Sequence, residues 1–366
     1  MLSESEIIKK KINLRKCRNI IKNVENVQKI ADDCSTILNI KSPKIICCDS
    51  LERSFSEFRL CGHDYIIYDS SLLESLYLYN NILEHNRKID DINKFFSKLF
   101  AEEFIKNNNY KFAYYFLGKF IESNFSFKNI SKNAADRVNY QNYFLICHEL
   151  SHIMVRNSET KIPKNYAEYI CGAVGALAKR EIEERNITIE DYFLERNDYF
   201  SLTTIPHSIN EYIYLLNKSS KFYHFIEECY CDYSGYKLLI ENYNSTRTVI
   251  QAIIGSLNFL IIQEAIRNDI GSYGDDLKDI LRDVSITFYY SFLRTQILLL
   301  TLQANELTDI KYALDDFNDN NRLIKELMDY INNLPDNDIL LEYDTSKFPK
   351  MDNGTRDKAL MNIPRS

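Results

Sequence analysis

Residues 144–154 read Phe-Leu-Ile-Cys-His-Glu-Leu-Ser-His-Ile-Met, and within this run stands His148-Glu149-x-x-His152. Two histidines at i and i+4 leave one face of a helix about 6 Å apart, a spacing at which both imidazoles reach a single Zn²⁺. Glu149 is one residue on, turned by about 100°, so it reaches a water beside such an ion without becoming a ligand. Zinc draws the pKa of that water toward neutrality, and a carboxylate so placed can take its proton as the water attacks a carbonyl. With only 6 His in 366 residues the pattern is rare by chance. Two polar rings inside an apolar helical run are also costly unless they serve a partner.

A zinc site that does chemistry takes three protein ligands and leaves a fourth position for water. The longer motif with a third histidine six residues after the second is absent, because Val155 holds its glycine position and Ser158 its histidine position. The next candidates lie in Phe225-Ile-Glu-Glu-Cys-Tyr-Cys-Asp-Tyr-Ser-Gly235. Glu228 and Asp232 are four apart and share a helical face. Glu228 is placed to ligate the ion, and Asp232 to accept the free ring N–H of a ligating histidine and fix its tautomer.

Other residues compete for these roles. Glu227 points about 100° away from Glu228, with Cys231 as its i+4 neighbour. His224 is one turn before Glu228 on the same face and is an alternative ligand. Cys229 and Cys231 bring thiols close, but a helical C-x-C does not easily put both on one ion, and free cysteines ordinarily fill cores. The oxyanion formed during acyl transfer needs a donor. Tyr233 and Tyr236 stand just past Asp232, although packing is the ordinary role for any of 26 tyrosines. Arg294, in the middle of Phe288-Tyr-Tyr-Ser-Phe-Leu-Arg-Thr-Gln-Ile297, must find a carboxylate if buried, and the site acids are potential partners. A structural ion pair is favoured over a transition-state role.

The two motifs resemble those of the gluzincin metallopeptidases, in which a HExxH helix is followed by a second helix carrying Glu-x-x-x-Asp. The match is similar to the E-x-x-A-D form of HtpX-type peptidases and Lit-type phage-exclusion proteases, with Cys231 in place of the Ala. The resemblance implies a zincin-like core, a hairpin or edge strand before the active helix, and zinc-dependent hydrolysis of peptide bonds in a protein or peptide substrate. Residue by residue it implies His148, His152 and Glu228 as zinc ligands, Glu149 as general base and Asp232 as the partner of a ligating histidine. It further suggests a regulated or phage-defence protease. The alternative, of a different class, is a helical interaction or regulatory protein whose metal site is structural or vestigial.

The elements that must position these residues are mostly helices. Nine Gly and six Pro in 366 residues are few for a chain with many turns. Ser3-x-x-Glu6 is a capping-box pattern, and Val24, Val27, Ile30, Ala31, Cys34, Ile37 and Leu38 recur at helical spacing. Lys44–Cys48, Glu57–Leu60 and Tyr65–Tyr68 read as short strands, the last two as a hairpin across Gly62, with Tyr65–Tyr68 equally an edge for an added peptide strand or an ordinary core strand. Helix is predicted from Ser71 through Ile121, over about 134–155, over 166–183 and, with interruptions, over 209–240; 186–207 reads as less regular. The fold class is therefore mainly α with a small β-hairpin or sheet. The predicted division is a helical N-terminal region over 1–130 with strands at about 44–68, a zincin-like core over 131–245, a C-terminal helical region over 246–333, and an extended tail over 334–366.

Composition narrows the function classes. Lys plus Arg number 45 against 52 Asp plus Glu, a balance of −7, which argues against a general nucleic-acid binder. Apolar residues at 45% and charged ones at 27% suit a globular chain. Val249–Ile262 and Ile286–Leu302 are the most apolar stretches. The first is short and carries Gln251 and Asn258, the second holds Arg294, so both read as core helices and no membrane partner is expected. Met1–Lys11 is polar and unlike a leader, and nine cysteines are an odd number without framework spacing. A reduced, cytoplasmic protein is the expectation.

Overall fold

The computed structural model describes residues 4–14, 17–21, 24–84, 89–107, 109–121, 131–157, 162–243, 247–270, 289–304 and 310–333. In chain order the elements are α1 (Glu4–Leu14), β1 (Cys17–Ile21), α2 (Glu25–Ile37), β2 (Lys44–Ser50), β3 (Ser56–Leu60), β4 (His63–Asp69), α3 (Ser70–Glu84), α4 (Ile89–Lys106) and α5 (Tyr110–Ile121). They continue with α6 (Lys132–Asn157), α7 (Lys164–Arg185), α8 (Ile189–Phe200), α9 (Ile209–Leu216), α10 (Ser220–Tyr243), α11 (Arg247–Ile270), α12 (Tyr289–Ala304) and α13 (Ile310–Asn332). The protein is mainly helical with one small sheet, as its composition predicts. Ser3 of the capping-box pattern and the tail over 334–366 lie outside the described residues.

The sheet has the order β1-β2-β4-β3. β3 and β4 form the expected antiparallel hairpin, with Leu60 opposite His63. Its two-residue turn has Cys61 at φ 50° and Gly62 at φ 78°, the double left-handed backbone that matches strand twist in tight hairpins. Of the two readings of Tyr65–Tyr68, edge strand or ordinary core strand, the structure has the second. β4 also pairs in parallel with β2, Lys44 opposite Tyr65, so it is interior and buried from Tyr65 to Asp69 on both faces, as a strand with two neighbours and covered faces must be. β3 is the edge strand. A local reading sees the hairpin but not the parallel partner 21 positions upstream.

Two large apolar clusters hold most of the helices, and a small third, of Cys48, Phe58, Tyr65 and Ile67, packs the sheet against Ile8 of α1. The larger takes residues from Ala31 through Ile331, drawing on all three regions delimited at 130 and 245. It contains a phenylalanine stack in which Phe100 and Phe104 of α4 meet Phe116 of α5 with centroids 5.0 and 5.6 Å apart. The second joins α7, α8, α9, α10 and α12, from Ile162 to Ile297. Running through the larger cluster is α6, whose residues Tyr143–Ile153 are all buried, the polar His148, Glu149, Ser151 and His152 among them. Within α11, Arg247–Arg267 is long and apolar enough to cross a membrane, and 89% of its most apolar stretch is buried inside the fold.

Two local readings change. The less regular segment 186–207 contains α8, opened by a reciprocal cap: Asp191 N donates to Thr188 Oγ1 at 3.0 Å and Thr188 N to Asp191 Oδ2 at 3.2 Å. Ile37, at the end of the α2 stripe, is 46% exposed, because the helix stops there and turns through Asn39 at φ 52°.

Candidate metal centre

The site is built where α10 packs across α6. The close approach is set by Gly235, where a Cβ would stand 3.2 Å from the Phe144 ring and 3.4 Å from the His148 amide nitrogen. With no side chain there, α10 brings Glu227, Glu228 and Asp232 against His148 and His152. One turn of helix separates the two histidines and their ring centroids are 4.9 Å apart, as the i, i+4 spacing predicts.

Ligating atoms of His148, His152 and Glu228 lie within 4.8 Å of one another. His148 Nε2 is 3.4 Å from Glu228 Oε2, His152 Nε2 is 3.3 Å from Glu228 Oε1, and the two Nε2 atoms are 3.1 Å apart. Each ring is oriented from behind by a carboxylate. Asp232 Oδ1 accepts from His148 Nδ1 at 3.0 Å, and Glu227 Oε1 accepts from His152 Nδ1 at 2.8 Å. The role read for Asp232 thus has its contact, and Glu227, weighed in the sequence only as a poorer ligand, supplies the same contact to the second ring. A signal for it existed, since each of two rings needs its own acceptor and Glu227 flanks Glu228 on the side turned toward the second histidine.

These contacts favour one tautomer of each ring and test the fit to a metal. With both Nδ1–H groups given to carboxylates, each Nε2 presents a lone pair. Two lone pairs and two carboxylate oxygens then face one another within about the width of an ion, and such a set repels unless positive charge stands among it. The same demand appears as basicity. Burial opposes charging His148, yet bonds to Asp232 and Glu228 raise its pKa; burial likewise opposes His152, and Cys231, Glu227 and Glu228 raise it. Two imidazoles and one carboxylate are a donor set of the kind that holds zinc, and these three residues could hold such an ion.

Arg294 completes the arrangement from α12. Its Nε donates to Asp232 Oδ2 at 2.9 Å, one terminal nitrogen to Asp232 Oδ1 at 2.8 Å, and the other lies 2.8 Å from Glu228 Oε2. The buried cation therefore finds the site acids as the sequence suggested, and it ties Glu228 to Asp232. Burial would push both carboxyls up, but Arg294 and the histidines hold Glu228 well below the usual carboxylate range and lower Asp232 too. The N-terminus of α12 is fixed in turn, because Ser291 N donates to Glu264 Oε2 of α11 at 3.1 Å.

Glu149 is buried on the floor of an open cleft of about 340 Å³, lined also by Ser54–Glu57, Leu72, Phe144, Leu257 and Leu260. Burial raises its pKa above the ordinary carboxylate value, while His148 and His152 pull the other way. One wall is the loop into β3 and its first residues. The hairpin is fastened to the end of α6 by Arg156, which pairs with Glu57 and, at 3.0 Å, with Asp64.

Five other sequence candidates, His224, Tyr233, Tyr236, Cys229 and Cys231, stand outside the cluster of His148, His152 and Glu228. His224 lines the cleft with a side chain 64% exposed, and its Nε2 is 3.6 Å from Glu228 Oε1, outside the three-atom cluster. Tyr233 and Tyr236 pack away from the cleft: Tyr233 stacks on Tyr166 at 5.8 Å and on Tyr236 at 6.3 Å. Cys229 is buried, with burial pushing its thiol up, and the Cys231 thiol is pushed up to about 12 by burial against the pull of His152. No protein-family model, curated protein or solved structure matches this chain.

Proposed function

We propose that the protein is a zinc-dependent endopeptidase of gluzincin type, with His148, His152 and Glu228 holding the ion and Glu149 acting as general base. The single observation that carries the reading is the convergence of two imidazole lone pairs and one carboxylate on the wall of an open cleft, with a second buried carboxylate beside them. Zinc bound there supplies a Lewis acid for the scissile carbonyl and lowers the pKa of water.

The chain's own residues do the rest. Glu149, kept basic by burial, takes a proton from the attacking water and returns it to the amine as the C–N bond breaks. Asp232 and Glu227 hold the two rings in the tautomer that leaves Nε2 free of hydrogen. Arg294 keeps Glu228 and Asp232 ionised. β3, at the sheet edge, offers a backbone along which an extended peptide lies as an added strand. All nine cysteines are free thiols, which supports a reducing, cytoplasmic setting. A regulated or phage-defence role is carried by the motif resemblance alone.

The competing reading, a helical interaction protein with a structural metal, needs a fourth protein ligand to close the site. His224 is the candidate, and its place outside the cluster favours the open, catalytic reading.

The test is metal content and hydrolysis together. Wild type is expected to carry about one zinc per chain, lost in His148→Ala and Glu228→Ala. Glu149→Gln should keep the zinc and lose cleavage of a pooled fluorogenic peptide library. Retained cleavage in Glu149→Gln overturns the mechanism.

A further inference from the structure

Peptide hydrolysis moves the carbonyl π pair onto oxygen as the water oxygen bonds to carbon, and a preorganised N–H or O–H aimed at that oxygen stabilises the charge. Among the described residues, the side-chain donors lining the cleft are Arg294, the rings of His148, His152 and His224, and the hydroxyls of Ser54 and Ser56. Arg294 is committed: Nε and one terminal nitrogen serve Asp232 and the other serves Glu228. His148 and His152 give Nδ1 to carboxylates and Nε2 to the cluster. Ser54 and Ser56 belong to the strand wall. Tyr233 stacks on Tyr166 and on Tyr236.

His224 differs from all of these. It sits one turn before Glu228 on α10, lines the cleft, and keeps its side chain 64% exposed. Its Nε2 is 3.6 Å from Glu228 Oε1, too far for a hydrogen bond and near enough to place a donor beside the ligand cluster on its solvent side. An exposed ring on the first turns of a long helix can swing onto a substrate without disturbing the core behind it.

We propose that His224 is a catalytic residue of this peptidase, its Nε2–H donating to the scissile carbonyl oxygen as that oxygen becomes an anion. The assignment rests on the peptidase reading. No proton leaves His224: the water proton goes to Glu149 and then to the leaving amine, and the imidazole serves as hydrogen-bond donor alone.

The experiment compares full-length wild type, His224→Ala and Glu149→Gln, all zinc-loaded, on the pooled fluorogenic peptides, and measures zinc affinity of each by competition with a chromophoric chelator. His224→Ala should lower kcat by about 10²–10³-fold, leave KM within about threefold, and leave zinc affinity within twofold. A drop in zinc affinity of tenfold or more makes His224 a ligand and overturns the proposal. Unchanged kcat in His224→Ala, with Glu149→Gln inactive, overturns the proposal and leaves the peptidase reading standing. Wild type no faster than Glu149→Gln overturns both.

Discussion

Replacing Asp232 by Asn tests whether the α10–α12 ion pair holds the candidate metal centre in shape. Asp232 is 1% exposed and accepts three hydrogen bonds, from His148 Nδ1 at 3.0 Å and from Arg294 at 2.9 and 2.8 Å. Breaking a buried ion pair by removing one partner costs about 3–5 kcal/mol. The amide keeps the shape, but its NH₂ must face at least one of those donors, so one contact becomes donor against donor. Glu228 keeps its 2.8 Å hold on Arg294, which limits the loss, so the expected cost in the metal-free protein is toward the lower end, about 3 kcal/mol. Loosening the ring of His148 should also lower zinc affinity by about 10–100-fold.

The clean measurement is a double-mutant cycle with Arg294→Met. Because the second substitution removes the stranded cation, the double variant should cost less than the sum of the singles by about 2–3 kcal/mol. The chain has no Trp, so urea unfolding in the presence of chelator is followed by near- and far-UV circular dichroism, and zinc affinity by chelator competition. Strict additivity, or a zinc affinity within twofold of wild type in Asp232→Asn, refutes the reasoning.

Further outcomes follow from the same geometry. Gly235→Ala puts a Cβ 3.2 Å from the Phe144 ring and 3.4 Å from His148 N and should cost about 1–3 kcal/mol by overpacking and weaken zinc binding. Gly172→Ala, with nothing within 4 Å of its Cβ on α7, should stabilise by about 0.5–1 kcal/mol; both are read from thermal midpoints. In the metal-free protein, the raised pKa values of His148 and His152 contribute stability that is full below about 6.5 and lost as pH rises through their folded values. The lowered values of Glu228 and Asp232 contribute stability present above about 4.5 and 3.8 and lost as pH falls through their folded values. Thermal midpoints with chelator should therefore fall on both sides of a mildly acidic optimum, and a midpoint still rising above pH 8 contradicts the coupling.

The sequence alone determined whatever depends on local spacing. The i, i+4 placement of His148 and His152 and the alignment of Glu228 with Asp232 follow from helical pitch, and the β3–β4 hairpin from two short β-rich runs around Gly62. Burial of α11 and of Arg294 was legible for a related reason: apolar density over a full helix length has few solutions other than a core, and a cation inside one requires acids. Tertiary structure decided whatever depends on how elements cross. Which of Glu227, Glu228 and His224 faces both rings turns on the close approach of α10 to α6 at Gly235 and Phe144, which brings Glu228 between them, sets Glu227 and Asp232 behind them and leaves His224 outside. Likewise β4 became interior and β3 the edge through a parallel pairing with β2. Local periodicity fixes which side chains share a face; only long-range packing fixes which faces meet.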